Sequence, residues 1–316
     1  MKIVFTFEPP FEMKADLNSS YPDIQFHYFQ NAELAKEDMK NTEVIVTYGE
    51  DLDDEHIYQA EKLKWIMVTS AGLERMPFKA IKEKNILVTN ARGIHKIPMA
   101  EFTIGLILDY AKSFQRLWKN NRSKVWDKST PLNELHNKTM MIVGAGAIGQ
   151  EIARLAKAFG MNVIGVNTSG GSLENFDKMV TLENISAVLD KADFIVSILP
   201  STKKTIHYFK RSHFEQMKET AVFINIGRGD VVEEEILMDA LKNKEIAHAY
   251  LDVFQVEPLP ENHPFWSMEN VSITPHISST TKNYLPRALD IFRINLHTYT
   301  NNKERFINVI DLERGY

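Results

Sequence analysis

Three side chains late in the sequence have the chemistry needed to bind a carboxylate and move a proton: Arg228, Glu257 and His276. An arginine can donate two parallel hydrogen bonds to a carboxylate and so hold an acid in one orientation. A histidine can protonate an oxygen near neutral pH, and a glutamate within reach orients the imidazole and favours its charged form. Singly, each residue is as well explained by an ion pair, a loop carboxylate or a cap.

The elements that must position these residues are β-strands. Arg228 follows the apolar run "AVFINIG", Glu257 lies beyond "HAYLDVF", and His276 comes at the end of "NVSITP". Open α/β sheets bind their ligands at the carboxyl ends of parallel strands, so three successive strand ends are expected to meet at one edge. Their joint occurrence favours a catalytic site over three unrelated surface residues.

A glycine pattern upstream predicts a dinucleotide site. Gly144, Gly146 and Gly149 lie between the apolar run "TMMIV" and a helix with apolar residues on one face. The first glycine permits a tight turn, the second lets pyrophosphate approach the backbone, and the third allows close packing of helix on strand. The free N–H groups of the helix N-terminus, here at Ala147 and Ile148, favour the phosphates. A hydride carrier beside the three side chains above predicts a reductase of 2-keto acids.

The choice between NAD and NADP depends on the next strand. An acidic residue about 20 positions after the glycines usually bonds the adenine ribose, but here Asn167 stands in that place. Without a carboxylate to repel a 2′-phosphate, Asn167, Thr168 and Ser169 can donate hydrogen bonds to it. No arginine or lysine follows at once, which leaves a relaxed choice between the cofactors open. The sequence favours NADP.

The architecture predicted from the pattern is α/β, because β-rich runs alternate with helical segments. The first third holds five such runs: "KIVFTF", "IQFHYF", "VIVTY", "LKWIMVTS" and "NILVTN". A helix is predicted from Met99 to about Trp118, and another from about Asn283 to Thr300. We expect two doubly wound parallel-sheet domains: a flavodoxin-like substrate domain of residues 1–98 plus 284–316, and a Rossmann cofactor domain of residues 99–283.

Length, charge and composition limit the alternatives. A chain of 316 residues suits two domains. A net charge of −5 without a basic cluster gives no footprint for nucleic acid or membrane surfaces. The chain has no cysteine, and its histidines form no ligand pair, so no metal site is predicted. The first residues alternate like a strand and lack a signal-peptide core, which predicts a cytoplasmic protein.

The phrases "INIGRGD", "LDVFQVEPLP" and "TPHIS" resemble the signatures of the D-isomer-specific 2-hydroxyacid dehydrogenases. The resemblance covers most of the chain and implies that Arg228, Glu257 and His276 are the catalytic residues, usually within a homodimer. It also implies that the backbone amides of Ala71 and Gly72 bind the substrate carboxylate. Further cofactor contacts are implied at Leu199, Pro200, Thr205, Ile226, Asp252 and Ser278.

Substrate choice stays open at this point. Glu74 and Arg75 replace the aspartate and apolar residues that many family members carry after the substrate loop. Glyoxylate or hydroxypyruvate reductase, reductase of larger 2-keto acids and 3-phosphoglycerate dehydrogenase all fit, and small or medium 2-keto acids are favoured. A cofactor-sensing interaction protein of corepressor type is the non-enzymatic alternative.

Overall fold

The computed structural model describes residues 1–70, 72–73, 75–301 and 305–312. The chain divides into two compact units, one formed by Met1–Ile94 with Thr281–Tyr316 and the other by His95–Thr280. The sequence predicts boundaries after residues 98 and 283, which is a few residues later in the chain than the boundaries after residues 94 and 280 in the structure. Which unit binds which ligand stays a prediction.

The first unit is built on a five-stranded parallel sheet. Its strands are β1 (Lys2–Phe5), β2 (Gln25–Tyr28), β3 (Val44–Thr47), β4 (Trp65–Val68) and β5 (Leu87–Asn90). They lie in the order β2-β1-β3-β4-β5, which is the flavodoxin-like arrangement. Alternate residues of β1 enter different cores, Val4 on one face and Ile3 and Phe5 on the other, so both faces of the sheet are covered.

The second unit carries a seven-stranded parallel sheet. Its strands are β6 (Thr139–Val143), β7 (Asn162–Asn167), β8 (Lys178–Thr181), β9 (Phe194–Ser197), β10 (Val222–Asn225), β11 (His248–Leu251) and β12 (Val271–Ile273). The order β8-β7-β6-β9-β10-β11 is that of a Rossmann sheet, and β12 extends it. The chain reverses direction of winding between β6 and β9, and ligands of such sheets bind beyond the carboxyl ends at that point.

Helices connect the strands in both units. They are α1 (Phe11–Ser20), α2 (Ala32–Met39), α3 (Asp54–Gln59), α4 (Phe78–Glu83), α5 (Lys96–Ala111), α6 (Phe114–Arg122), α7 (Ala147–Ala158), α8 (Arg211–Phe214), α9 (Glu234–Lys242) and α10 (Tyr284–Thr300). Short 3₁₀ turns cover Leu182–Ala187, Leu189–Lys191, Gly229–Val231 and Pro264–Ser267. In the part of the chain described, no helix has both the length and the apolar character required to cross a bilayer.

The predicted two-domain α/β fold is confirmed, with two differences in detail. Strand β8 was not predicted, because its residues are only partly buried and Lys178 opens it, so it lacks a continuous apolar run. The single helix expected from Met99 to Trp118 is two helices. Ser113 separates the two helices. It has a φ of +50°, and the Ser113 hydroxyl donates to the carbonyl of Pro131 over 2.7 Å. A contact so distant along the chain leaves no trace in helical periodicity.

The end of the chain completes the first unit. Helix α10 lays Phe292 against the buried rings of Trp65 and Phe5, each at a centroid distance of 5.6 Å. Beyond it, the N–H of Ile310 donates to the carbonyl of Val88 in β5 over 2.9 Å. This unit is therefore assembled from two separate stretches of sequence.

Candidate active site

His276 and Glu257 form a hydrogen-bonded pair in the second unit. Nδ1 of His276 lies 2.7 Å from Oε2 of Glu257, while Oε1 of the same carboxylate accepts the N–H of Phe254 over 2.9 Å. Both glutamate oxygens are thus fixed, and Nε2 is left as the imidazole nitrogen that can face a ligand. The side chains of His276 and Glu257 are 46% and 34% exposed, so a small molecule can reach the pair.

Asp252 holds the loop that presents His276. This aspartate follows β11 and is 1% exposed. Its carboxylate accepts hydrogen bonds from the hydroxyl of Thr274 at 2.6 Å and from the N–H groups of Ile277 at 3.0 Å and Ser278 at 2.9 Å. Its carbonyl accepts the N–H of His276 at 2.8 Å, and His276 has a φ of +53°. This loop-shaping part was not foreseen; the predicted contact of Asp252 with the nicotinamide stays a prediction.

Arg228 lies where β10 passes into the 3₁₀ turn at Gly229–Val231. Its side chain is exposed, with one guanidinium N–H donated to the carbonyl of Gly227 over 2.8 Å. A Cβ at Gly229 would overlap the backbone of Phe254, so glycine is required for this turn to pack against the segment that leads to Glu257. The flanking glycines therefore bring Arg228 and Glu257 to the same region.

The three predicted catalytic residues share a cavity of about 350 Å³. Arg228, Glu257 and His276 all line it, together with Ser201, Gly229, Asp230, Phe254 and Gln255. A second cavity of about 460 Å³ also borders Glu257 and His276, but its other walls are apolar: Phe254, Pro258, Leu259, Trp266, Ile273 and Pro275. The cavity with Arg228 is the one whose polar groups suit a small acid. The catalytic roles of Arg228, Glu257 and His276 stay predictions.

The three glycines of the predicted cofactor turn have different steric surroundings. Gly144 has a φ of +109°, and a Cβ there would lie 2.8 Å from the carbonyl oxygen of Ile198. A Cβ at Gly149 would lie 2.6 Å from the carbonyl oxygen of Gly144. At Gly146, the N-cap of α7, a Cβ would meet no atom within 4 Å. Two glycines thus serve packing, and the third faces open space beside a helix N-terminus, which fits a dinucleotide phosphate group.

Asn167 ends β7, and its side chain closes the turn that follows. Oδ1 of Asn167 accepts the N–H groups of Ser169 at 3.1 Å and Gly170 at 2.7 Å. The amide NH₂ of Asn167 is the part left to meet a ligand, while Thr168 and Ser169 are exposed. The Ser169 hydroxyl donates to the same Oδ1 over 3.4 Å, so the Asn167 amide and Thr168 are the predicted donors left at the end of β7, and the turn itself carries no negative charge.

The segment after β9 carries three more predicted cofactor residues. Leu199 is buried, and the hydroxyl of Thr205 donates to the carbonyl of Pro200 over 2.5 Å and accepts the N–H of Thr202 over 2.9 Å. These bonds curl the segment beyond the carboxyl end of the sheet. Ile226 and Ser278, predicted on the same grounds, are 2% and 3% exposed. Their predicted cofactor contacts rest on the resemblance.

His95, the N-cap of α5, contacts the loop that follows His276. Its imidazole donates to the backbone carbonyl of Ser279. Burial lowers the pKa of His95 below its usual value; the Ser279 carbonyl opposes this shift and the charge of Arg228 adds to it. Burial and the charge of Arg228 thus both favour the neutral form of the His95 imidazole.

The substrate loop predicted at Ala71 and Gly72 belongs to the other unit. The carbonyl of Gly72 accepts the Ser70 hydroxyl over 2.8 Å, whereas Ala71 and Glu74 lie outside the described residues. Arg75 lies 3.6 Å from Glu50 in an exposed ion pair. Carboxylate binding by this loop stays a prediction.

The family profile described as "D-isomer specific 2-hydroxyacid dehydrogenase, NAD binding domain" matches residues 104–278. These residues include the glycine turn and all three residues of the predicted catalytic set. The chain belongs to this family. The resemblance expected from the sequence motifs is thereby confirmed, and the protein is an NAD(P)-dependent 2-hydroxyacid dehydrogenase.

Related proteins act on more than one substrate. A glyoxylate reductase of Thermofilum pendens is 34% identical over 253 residues, 78% of this chain and 74% of that protein. A D-3-phosphoglycerate dehydrogenase of Methanocaldococcus jannaschii is 34% identical over 249 residues, 78% of this chain but 47% of that protein. The crystal structure of a D-isomer-specific 2-hydroxyacid dehydrogenase family protein from Aeromonas salmonicida superposes with a TM-score of 0.82 at 29% identity, covering 98% of this chain and 99% of that one.

Proposed function

We propose that this dehydrogenase reduces a small 2-keto acid to the (R)-2-hydroxy acid and catalyses the reverse oxidation. One observation carries the proposal: Arg228, Glu257 and His276 line a single cavity, with His276 hydrogen-bonded to Glu257. A small acid needs a cation for its carboxylate and a proton donor for its ketone oxygen. This cavity offers both within a volume of about 350 Å³.

Arg228 would bind the substrate. Among the described residues its guanidinium donates one hydrogen bond, to the Gly227 carbonyl, so its other N–H groups can bind a carboxylate oxygen and the adjacent ketone. Holding both groups fixes the plane of the keto acid and turns a bimolecular encounter into a positioned one. As negative charge develops on the ketone oxygen, the same guanidinium stabilises it.

His276 would supply the proton. Reduction requires one hydride on the keto carbon and one proton on the oxygen; a bound reduced nicotinamide cofactor would supply the hydride, and the oxidised cofactor would take it back in the reverse direction. Protonated His276 donates from Nε2 to the oxygen, while Glu257 holds Nδ1 and balances the imidazolium charge. In the oxidative direction neutral His276 accepts the proton from the hydroxyl group. Gly144, Gly146, Ala147, Ile148 and Gly149 would hold the cofactor phosphates.

NADP is the cofactor we favour. The support lies at Asn167, where the amide NH₂ and the exposed Thr168 offer donors and no carboxylate repels a 2′-phosphate. NAD remains the alternative, because no cation follows directly in the sequence.

We propose a homodimer and a cytoplasmic location on the basis of the family resemblance. Two exposed tryptophans in and after α6 support the homodimer: Trp118 is 60% exposed and Trp126 is 89% exposed. Large aromatic side chains at a surface commonly mark contacts between subunits. Size-exclusion chromatography with light scattering tests this. A monomer at micromolar concentration would contradict the dimer.

One competing function has a specific observation behind it. The similarity to a D-3-phosphoglycerate dehydrogenase favours a phosphorylated substrate, although the match spans about half of that protein. The corepressor-type sensor remains a prediction without such support. It differs from an enzyme in turnover, since a sensor binds the cofactor with slow catalysis.

The experiment is a set of initial rates with NADPH and with NADH. Glyoxylate, hydroxypyruvate, pyruvate, a branched 2-keto acid and phosphohydroxypyruvate are each offered to the purified protein. The proposal expects one unphosphorylated 2-keto acid to have the highest kcat/KM. Best turnover of phosphohydroxypyruvate would replace the proposal with phosphoglycerate dehydrogenase, and cofactor binding without turnover of any acid would contradict it.

A further inference from the structure

Ser201 and Asp230 form a polar pair in the wall of the catalytic cavity. The hydroxyl of Ser201 donates to Oδ2 of Asp230 over 2.5 Å, and both residues line the cavity that Arg228, Glu257 and His276 share. Asp230 lies two residues after Arg228 in the 3₁₀ turn, and its carbonyl accepts the N–H of His207 over 2.7 Å. Backbone bonds therefore fix the position of this carboxylate.

The pair can only accept hydrogen bonds. A serine hydroxyl whose proton is directed to a carboxylate presents lone pairs to any other group, and an ionised carboxylate has no proton to give. Oδ1 of Asp230 is shielded from solvent without a hydrogen-bond partner among the described residues, so Oδ2 and the Ser201 oxygen are the atoms that a ligand can meet. This cavity wall is matched to a ligand group that donates.

The other polar groups of the cavity already have partners or predicted roles. Gln255 donates its N–H to Glu234 and its side-chain amide to the carbonyl of Val232. His276 and Glu257 are bound to each other. Among the described residues that line the cavity, the Ser201–Asp230 pair therefore offers a carboxylate that is bound to neither Arg228 nor His276 and can accept a further hydrogen bond.

We propose that Ser201 and Asp230 bind a hydroxyl group on the carbon next to the ketone and so select 3-hydroxy-2-keto acids. This inference rests on the function proposed above and assigns its substrate class to two residues. A hydrogen-bonded hydroxyl satisfies the acceptors, whereas a methyl group leaves a desolvated carboxylate without compensation. A phosphate in the same place would bring negative charge against Asp230, which disfavours phosphorylated substrates.

The test compares Ser201→Ala and Asp230→Asn with the wild-type enzyme. Hydroxypyruvate and pyruvate differ by the hydroxyl group alone, so the ratio of their kcat/KM values isolates its contribution. We expect the ratio to fall roughly ten- to hundredfold in Asp230→Asn, the range for a hydrogen bond to a charged group, and less in Ser201→Ala. Phosphohydroxypyruvate should gain activity in Asp230→Asn because the repelling charge is removed.

Asp239→Asn is the matched control, since Asp239 pairs with Arg211 over 2.6 Å on the surface of the same unit and takes no part in the cavity. Thermal unfolding and the cofactor dissociation constant are measured for every variant, so that misfolding is recognised. If the variants raise the cofactor dissociation constant and leave the substrate ratio unchanged, the pair binds the cofactor ribose instead and the inference is overturned.

Three further outcomes show whether this inference fails alone or together with the proposed function. If the wild type reduces 2-keto acids and every variant has the same ratio of kcat/KM for hydroxypyruvate and pyruvate, the proposed function stands and the role of Ser201 and Asp230 is overturned. A wild-type enzyme that binds NADPH or NADH but reduces none of the acids would overturn both. A wild-type preference for phosphohydroxypyruvate would also contradict the inference.

Discussion

The backbone of His276 is tied to Asp252, whose carbonyl accepts the histidine N–H over 2.8 Å. The carboxylate of the same residue holds the next two backbone amides, at Ile277 and Ser278. A φ of +53° is uncommon for histidine, and these bonds compensate for it. One buried aspartate therefore fixes the direction in which the imidazole leaves its loop.

Replacing Asp252 with asparagine should loosen this loop. Asparagine has one acceptor oxygen in place of two, so its NH₂ group would face a backbone N–H and leave that donor unpaired. We expect the free energy of unfolding to fall by about 1–3 kcal/mol and kcat to fall at least about tenfold. Urea unfolding and steady-state rates test both parts, with Asp239→Asn as the control. Wild-type kcat in Asp252→Asn would contradict a positioning role.

His276→Ala should remove the proton donor and leave the cofactor turn untouched. We expect kcat for 2-keto acid reduction to fall by about two to four orders of magnitude, the usual contribution of a positioned acid. The dissociation constant of NADPH, measured by fluorescence, should change little, because the glycine turn is elsewhere in the unit. Turnover equal to that of the wild type would remove His276 from the mechanism.

Asn167→Asp should shift the enzyme toward NAD. Because Oδ1 of Asn167 is already an acceptor from Ser169 and Gly170, aspartate can close the same turn and the fold should be unaffected. The added charge would repel a 2′-phosphate, so we expect affinity for NADPH to drop about tenfold or more while NADH is retained. Isothermal titration with both cofactors measures this. An unchanged preference would show that the 2′ position lies away from residue 167.

Gly149→Ala and Gly146→Ala should fail in different ways. A Cβ at Gly149 would press on the carbonyl of Gly144 at 2.6 Å, so we expect a loss of about 1–3 kcal/mol in stability. A Cβ at Gly146 has open space, so stability should change by less than about 1 kcal/mol, whereas cofactor affinity should fall because phosphate approaches there. Equal destabilisation by both variants would contradict the assignment.

His248 should make stability depend on pH. Burial lowers the pKa of His248 to about 4, with Asp109 opposing the shift, and its Nε2 lies 3.0 Å from the hydroxyl of Ser272. Between pH 6.5 and 4, His248 binds a proton in the unfolded chain but not in the folded chain. The free energy of unfolding is therefore fully retained above pH 6.5 and decreases as the pH falls, by up to about 1.4 kcal/mol per pH unit.

The comparison that isolates this effect is His248→Gln, which can keep a hydrogen bond to Ser272. Urea unfolding at pH 7.5, 6 and 5 should show the wild type losing stability faster than the variant. Parallel losses in the two proteins would mean that His248 does not contribute.

The sequence predicted those parts of the molecule that local patterns encode. The glycine turn between β6 and α7 was recognisable because its three glycines fall within six residues, directly between an apolar strand and a helix with one apolar face. The five strands of the first unit were recognisable because neighbouring residues such as Val4 and Phe5 enter different cores, so that strands buried on both faces are short apolar runs. Arg228, Glu257 and His276 were recognisable as candidates because each follows an apolar strand; their catalytic roles stay predictions.

What the sequence did not reveal depends on pairs distant along the chain. The break at Ser113 requires the carbonyl of Pro131, and the Ser201–Asp230 bond joins residues 29 positions apart. Asp252 was expected at the cofactor, and its bonds to the His276 loop could not be inferred from its own neighbours. Strand β8 was missed because the pairing with β7, more than its own composition, makes it a strand.

The interrupted first unit has a consequence for how the chain is made. A nascent chain that has passed Thr280 carries every strand of the seven-stranded sheet, which can close while synthesis continues. The five-stranded sheet is translated earlier but still lacks α10 at this stage. Trp65 and Phe5 therefore stay uncovered on one face until Phe292 has been synthesised. The unit whose strands are translated earlier is therefore the unit that finishes folding later.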